Sequence, residues 1–263
     1  MTIAVRALIF LTVVYVGLAA LIYFQQSRFI FPAPQEVYAP APGYQAVTLN
    51  TADGLALTAH WRAPEDGKPT LVHFHGNSGS LSGATSENRL FADQGYGVLL
   101  VEYRGYGGNP GKPSEEGFRE DGRAALAFLK ERAIAPKSII IKGHSIGSGT
   151  AVNMALEQDA AALILVAPFT STVDLVGQKI PIFPMGLIIA EPFDNRAKLP
   201  QAAMPVLVQH GTADTVVPIS HGRALAAVGP TAEFQSFAGK EHDLTFDNEV
   251  QTAQARWLAE LGL

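Results

Sequence analysis

Ile139-Ile-Ile-Lys-Gly-His-Ser-Ile-Gly-Ser-Gly149 is the stretch of the chain that decides its fold. The apolar run from Ser138 to Lys142 predicts a short strand that is buried on both faces of a sheet. Two glycines, Gly143 and Gly147, then bracket Ser145 in the pattern G-x-S-x-G. Small residues at these positions leave room for a sharp, strained turn that places a serine between a strand and a helix. The stretch therefore predicts a strand, a turn that carries Ser145, and a helix.

The residues after this turn, Thr150 to Gln158 (TAVNMALEQ), can continue as the helix that the pattern needs. The pattern alone is weak evidence, because a chain with 25 glycines can contain it by chance or in an ordinary loop. The rest of the chain therefore decides whether Ser145 is a nucleophile.

The composition narrows the classes of function. Hydrophobic residues make up 48% of the 263 residues, enough for a sizeable core in one large α/β domain. The formal net charge of −5 argues against nucleic-acid binding, which needs a basic surface to neutralise phosphates. The chain has no cysteine, which excludes disulfides, thiolate metal sites and cysteine nucleophiles.

The N-terminal region, residues 1–27, predicts a membrane anchor. Every residue from Ala7 to Phe24 is uncharged, and about 20 apolar residues suffice to cross a bilayer. A cleaved signal peptide is the alternative, with Gly17-Leu-Ala-Ala20 as its cleavage site. We favour the anchor because apolar residues continue beyond this site, and an aromatic pair, Tyr23 and Phe24, lies where the membrane interface is expected.

The charges beside this span predict its orientation. The amino terminus and Arg6 precede it, and Arg28 follows it. By the positive-inside rule the N-terminal end faces the cytoplasm, so the following domain is expected outside the cytoplasm. This expectation depends on a difference of one charge.

A proline-rich linker over residues 28–43 and a folded domain over residues 44–263 follow the anchor. The prolines of the linker prevent regular helix. The domain opens with two strand patterns, Tyr44–Asn50 and Leu55–Arg62, joined by a hairpin signal.

Apolar runs alternate with helical patterns along the rest of the domain. Such alternation predicts a mostly parallel sheet covered by helices on both faces, with functional loops at the carboxyl ends of its strands. The predicted strands are Thr70–His75, Val98–Arg104, Ser138–Lys142, Ala162–Ala167, Val206–His210 and Glu233–Phe237, and the predicted helices are Ser86–Gln94, Glu115–Arg132, Thr150–Gln158 and Phe246–Leu261.

A serine hydroxyl becomes a nucleophile only when a base removes its proton and a third group orients that base. Asp214 and His242 each follow a predicted strand and come after Ser145 in the chain. The order serine, acid, histidine is the one found with the G-x-S-x-G turn. We therefore predict a catalytic triad of Ser145, Asp214 and His242, with the backbone amide of Ile146 as one oxyanion donor.

Further motifs occur at strand ends along essentially the whole chain. They are Phe74-His-Gly-Asn77, Tyr103-Arg-Gly-Tyr-Gly107, Gly143-His-Ser-Ile-Gly147, His210-Gly-Thr-Ala-Asp214 with Val217-Pro218, His242, and Arg28-Phe-Ile-Phe-Pro32 after the apolar N-terminus. In these motifs the chain resembles the α/β-hydrolase superfamily, most closely its single-span, membrane-anchored branch of abhydrolase-domain serine hydrolases. The resemblance implies the α/β-hydrolase fold and a second oxyanion donor, the amide of Asn77. One departure is Glu241, where the family usually has glycine.

No cofactor or metal is expected. His73 and His75 have a spacing that could suit a metal, but a catalytic zinc needs three protein ligands. The triad itself needs neither.

An insertion at about residues 169–199 is too apolar for a simple loop. We interpret it as a small cap that lines a pocket for an acyl chain, because binding pockets are predominantly apolar. A helix pair that only fills the core is the alternative.

The sequence thus predicts a membrane-anchored serine hydrolase that cleaves carboxylic esters, with lipophilic acyl esters as its substrates. An amide or peptide hydrolase and an acyl-protein thioesterase stay open, because the triad does not fix the leaving group. A catalytically silent binding module is the alternative of another class, because the fold alone does not establish activity.

Overall fold

The computed structural model describes residues 2–263 and contains one eight-stranded sheet. Its strands are β1 (Gln45–Asn50), β2 (Ala56–Arg62), β3 (Thr70–Phe74), β4 (Gly97–Val101), β5 (Ile139–His144), β6 (Ala162–Val166), β7 (Val206–Gly211) and β8 (Ala232–Phe237). The spatial order is β1-β2-β4-β3-β5-β6-β7-β8. The strands β3 to β8 pair in parallel, and β1 and β2 form the antiparallel hairpin that begins the sheet. The predicted mostly parallel sheet is confirmed.

Helices cover both faces of this sheet. The helices are α1 (Ile3–Ile30), α2 (Leu81–Glu87), α3 (Arg89–Asp93), α4 (Glu115–Glu131), α5 (Gly147–Glu157), α6 (Thr172–Lys179), α7 (Met185–Ile188), α8 (Asn195–Lys198), α9 (Ile219–Val228) and α10 (Asn248–Glu260). Alternate side chains of a strand face opposite sides. Thus Val72 belongs to the core cluster that includes side chains of α4, α5 and α9, whereas Leu71 belongs to the cluster that includes side chains of α2, α3 and α10.

The helices differ from the predictions most clearly as follows. The predicted helix Ser86–Gln94 is two short helices, α2 and α3, separated at Asn88, where φ is −126°. Helix α5 begins at Gly147, three residues before the predicted start. Helix α9 was not predicted; it follows Pro218, and its buried face is small, with His221 and Gly222 beside Leu225. A sequence with so few buried apolar residues gives no clear helical periodicity.

Helix α1 is apolar and almost wholly exposed. Its most hydrophobic 18-residue window has a mean hydropathy of 2.5, and none of that window is buried in the structure. By length and composition the helix can cross a membrane. It ends at Ile30, beyond the predicted anchor range of residues 1–27, of which Met1 lies outside the described residues.

The segment after α1 has neither helix nor strand from residue 31 to residue 43, and it lies on the folded domain. Phe31 is buried, with its ring 5.2 Å from that of Phe118. The carbonyl of Pro34 accepts a hydrogen bond from the amide of Gly107 at 2.8 Å. The Gln35 side chain donates to the carbonyl of Gly105 at 2.6 Å. The segment is therefore fixed to the loop after β4.

The insertion at residues 169–199 contains α6, α7 and α8. Its residues Phe183, Met185 and Ile188 form a small apolar cluster of their own, against which Ala19 and Ile22 of α1 pack. The insertion thus connects the sheet with the exposed N-terminal helix.

Candidate active site

Ser145 occupies the sharp turn between β5 and α5. Its φ is +52°, in the left-handed region that non-glycine residues rarely adopt and that costs about 1–3 kcal/mol. Two backbone hydrogen bonds hold this conformation: Ser145 N–H donates to the carbonyl of Val166, and Ser148 N–H donates to the carbonyl of Ser145, each at 3.0 Å. The turn is therefore strained but well supported.

The two glycines of the G-x-S-x-G pattern leave no room for a side chain. A Cβ atom added to Gly147 would lie 2.0 Å from the carbonyl oxygen of Phe74 on β3. One added to Gly143 would lie 2.5 Å from the carbonyl oxygen of Gly147. Both contacts are with rigid backbone, so the close approach of β3, β5 and α5 requires glycine.

The structure brings the three predicted triad residues together. Ser145 Oγ lies 2.9 Å from Nε2 of His242, and Nδ1 of His242 lies 2.8 Å from Oδ2 of Asp214. A carboxylate accepts only, so Nδ1 of His242 carries the proton and Nε2 accepts from the serine hydroxyl. This arrangement lets an imidazole take the serine proton while a carboxylate orients the ring.

Asp214 is held as a carboxylate. One oxygen accepts from the amides of Val216 and Val217 at 2.9 and 2.8 Å. The other faces His242 and, at 3.3 Å, Nε2 of His210. Burial raises the pKa of Asp214, but the hydrogen bonds from His210 and His242 outweigh it and lower the pKa below its ordinary value. The group is therefore ionised at neutral pH.

The loop after β3 passes beside the serine. A Cβ atom added to Gly76 would lie 3.6 Å from Cβ of Ser145, so Asn77, the next residue, is close to the turn. Ile146 is the first residue of the turn after the serine and caps α5. The predicted oxyanion donors, the amides of Asn77 and Ile146, thus belong to the two segments that flank Ser145.

Glu241 has an exposed side chain, and His242 after it still contacts both Ser145 and Asp214. A side chain in place of the family's usual glycine is therefore compatible with the path of this loop.

His73 on β3 and His75 just after it contact two different carboxylates. His73 Nε2 lies 3.0 Å from Glu87, and His75 Nε2 lies 2.7 Å from Glu102. Burial lowers the pKa of His75, but the Glu102 carboxylate outweighs this and raises it. Within residues 2–263 no group of three or more histidine or acidic side chains is placed to hold a metal ion.

A buried polar cluster that the sequence analysis missed lies behind the turn. Its centre is Glu87, which is 1% exposed and accepts a hydrogen bond from Thr245 at 3.0 Å, three residues after His242. Lys142 Nζ donates to the backbone carbonyl of Glu87 at 2.9 Å and to Asn88 at 3.0 Å. The cluster thus connects β5, α2 and the loop of His242. A lysine inside an apolar strand is the one sequence signal that indicates it.

This cluster sets the charge state of its members. Burial raises the pKa of Glu87, but the neighbouring His73 outweighs it, and the pKa lies well below its ordinary range. Burial lowers the pKa of Lys142 to about 8, although Glu87 opposes the shift. A buried carboxylate with hydrogen-bonding partners stabilises a unique local structure.

Comparison with known proteins gives consistent matches. A sequence profile described as alpha/beta hydrolase fold matches residues 69–187. An uncharacterized protein of Mycobacterium tuberculosis is 33% identical over 219 residues, which cover 80% of this chain and 78% of that protein. Protein bem46 of Schizosaccharomyces pombe is 34% identical over 210 residues, which cover 74% of this chain and 67% of bem46.

Solved structures share the fold. The esterase Pf2001 of Pyrococcus furiosus superposes with a TM-score of 0.69 over 87% of this chain and 95% of its own, at 19% sequence identity. At that identity the likeness concerns the arrangement of the sheet and helices.

Proposed function

Because the chain belongs to the α/β-hydrolase family, we propose that it is a membrane-anchored serine hydrolase that cleaves carboxylic esters of lipophilic acyl groups. The main support for the proposal is a chain of two hydrogen bonds. Ser145 Oγ lies 2.9 Å from His242 Nε2, and His242 Nδ1 lies 2.8 Å from Asp214 Oδ2. A serine at a strained strand-to-helix turn with these hydrogen bonds behind it has the geometry of an activated nucleophile.

In the proposed mechanism Ser145 Oγ attacks the acyl carbonyl carbon while His242 Nε2 takes the hydroxyl proton. The amides of Ile146 and Asn77 donate to the oxyanion of the tetrahedral intermediate. When the intermediate collapses, the bond to the alcohol breaks and His242 returns the proton to the leaving oxygen. A water molecule, deprotonated by His242, then attacks the acyl-enzyme, which releases the acid and regenerates Ser145.

Two features support a lipophilic substrate. Helix α1 is long and apolar enough to cross a bilayer, and the cap at residues 169–199 packs against it through Phe183, Met185 and Ile188. An enzyme anchored in the bilayer by α1 has access to esters that partition into membranes. We place the catalytic domain outside the cytoplasm, on the charge difference between the two ends of α1.

A fluorophosphonate probe tests the nucleophile directly, since it reacts with activated serines. We expect labelling of the full-length protein in detergent and loss of labelling in Ser145→Ala and in His242→Ala. Ser148→Ala, which changes a nearby buried hydroxyl, is the matched control and should still be labelled. Undiminished labelling of Ser145→Ala, or none of the folded wild type, would refute the proposed mechanism.

A panel of p-nitrophenyl esters of increasing acyl length, with the matched thioesters and anilides, tests the leaving group and the acyl preference. We expect kcat/KM to be highest for esters and to rise with acyl length. A preference for thioesters would indicate a thioesterase, and a preference for anilides would indicate an amidase. In both cases the same three residues would act as the triad.

A further inference from the structure

The apolar cap segment, defined here as residues 180–190 (IPIFPMGLIIA), has no charged residue. Two of its large side chains point into solvent: Ile182 is 68% exposed and Leu187 is 84% exposed. Charged residues bound it on both sides, Lys179 before it and Glu191 after it. A contiguous apolar surface between charges indicates an interaction site.

This segment lies alongside α1. The hydroxyl of Tyr15 donates to the carbonyl of Ile182 at 2.8 Å, and the Tyr15 ring stacks on Phe183 with the centroids 4.8 Å apart. Further along, Gln26 donates to the carbonyl of Ile188 at 3.0 Å and accepts from the amide of Ala190 at 2.8 Å. The segment therefore follows α1 from Tyr15 to Gln26, a distance of about 16 Å along the helix axis.

We propose that the apolar cap segment is itself inserted in the bilayer, in contact with lipid chains. The proposal rests on the membrane anchoring of α1 given above. The hydrocarbon core is about 30 Å thick, which corresponds to about 20 helical residues. If the span ends near Phe24, Tyr15 lies about 13 Å below the interface, and Ile182, bonded to it, lies at the same depth.

Most backbone amides of the segment have hydrogen-bond partners within the protein. Irregular backbone is tolerated at membrane depth only where its polar groups have partners in the protein. Pro181 and Pro184 have no N–H group, and the partners of Ile182, Ile188 and Ala190 come from Tyr15 and Gln26. Within the segment the amides of residues 183, 185, 187 and 189 donate to carbonyls of residues 180, 183, 184 and 185.

A neighbouring cavity also indicates contact with lipid chains. It has a volume of about 660 Å³ and lies between α1 and α6. Its walls include Leu21, Ile22, Val176, Ile180 and Ile189. In water these walls would be an exposed apolar surface, whereas lipid chains would fill the cavity. Arg28 at its edge is suited to a lipid phosphate.

Single-cysteine variants test the depth of the segment, because the natural chain has no cysteine. Ile182→Cys reports on the deep end of the apolar cap segment, Val13→Cys on α1, and Asp66→Cys on the exposed turn between β2 and β3. Each full-length variant is labelled with the environment-sensitive fluorophore NBD and reconstituted in phosphatidylcholine vesicles. Emission is then measured with iodide in the water or with nitroxide groups on the lipid chains.

We expect probes at positions 182 and 13 to lose emission with the nitroxide lipid and to resist iodide, and the probe at 66 to behave in the opposite way. Leu187→Cys, at the end of the segment bonded to Gln26, is the second reporter if Ile182→Cys fails to fold, and its probe should also lose emission with the nitroxide lipid. Quenching by iodide at 182 with lipid quenching at 13 would overturn this inference alone. Iodide quenching at 13 would overturn both the inference and the proposed anchor. Protection of 182 from both quenchers would indicate a protein partner, such as a second copy, and would also overturn it.

Discussion

His144 Nε2 lies 3.1 Å from the carbonyl oxygen of His242, so the residue before the proposed nucleophile holds the backbone of the proposed base. The two histidines belong to β5 and to the loop after β8, which are far apart in the sheet. Burial lowers the pKa of His144 to about 4, and the ring is therefore neutral at pH 7. A neutral ring with its proton on Nε2 donates to this carbonyl.

We expect His144→Ala to lower kcat for ester hydrolysis roughly ten- to hundredfold, because a loose His242 loop misplaces the base by a fraction of an ångström to about 1 Å. The value of KM should change little. The control is His60→Ala, another buried histidine, on β2 and three strands from β5 in the sheet. A kcat for His144→Ala equal to that of the control would show that the hydrogen bond does not position His242.

The burial of His73 and His144 should cost the protein stability as the pH falls from about 6.5 towards 4. Burial lowers the pKa of His73 and of His144, so the unfolded chain binds these protons more tightly than the folded chain. The stabilisation is complete above the unfolded pKa and is lost as the pH approaches the folded one. Denaturant titrations of the detergent-solubilised protein at several pH values measure this. In His144→Gln the free energy of unfolding should fall less over this pH range than in the wild type, by about 3 kcal/mol at most. The same pH dependence in both proteins would contradict the assignment to His144.

Gly147→Ala should destabilise the protein by about 1–3 kcal/mol or more, because its methyl group meets the backbone of β3. It should also displace Ser145 and abolish fluorophosphonate labelling. Gly177→Ala on α6 is the matched substitution, since the nearest atoms to its added Cβ are 4.0 Å away. That variant should be as stable as the wild type or more stable, because alanine favours helix. Equal stability of the two variants would contradict the steric argument.

Arg104→Ala should destabilise the protein by about 3–5 kcal/mol, because it leaves a buried carboxylate without its partner. Arg104 Nε lies 2.8 Å from Asp121, whose side chain is fully buried, and a second contact of 2.7 Å joins Arg104 to Asp53. Arg123, which pairs with Glu157 at the surface, is the control. Its replacement by alanine should cost less than about 1 kcal/mol. The free energies of unfolding in denaturant compare the two, and similar losses would contradict the role of burial.

The residues of the predicted triad could be found from sequence because each one follows a strand whose pattern is plain. Ser138–Lys142 and Val206–His210 are largely apolar runs, Glu233–Phe237 alternates polar and aromatic residues, and each is followed by a turn. The strand ends of a parallel sheet meet at one edge. The structure places all three side chains within hydrogen-bonding distance. Their catalytic role stays a prediction for the labelling experiment.

The parts that could not be predicted depend on contacts between distant residues. Glu87 lies on a polar helix, and nothing near it in the sequence indicates that Thr245 bonds to it. In the sequence, Gln26 lies at the polar end of an apolar run. In the structure, its side-chain amide joins α1 to residues 188 and 190. Such pairings arise from packing of the whole chain, which local periodicity does not contain.

In the proposed membrane-anchored enzyme, the fixed segment after α1 determines how the active site searches for its substrate. Because Phe31, Pro34 and Gln35 bind the domain directly, the domain has no flexible tether and turns only as α1 turns. With α1 in the bilayer as proposed, diffusion in the bilayer plane then carries Ser145 at one height and one tilt above the lipids. An ester bond is accessible only where its own depth matches that height. Selectivity thus has a geometric part, set by the distance of the scissile bond from the membrane surface, in addition to the shape of the acyl chain.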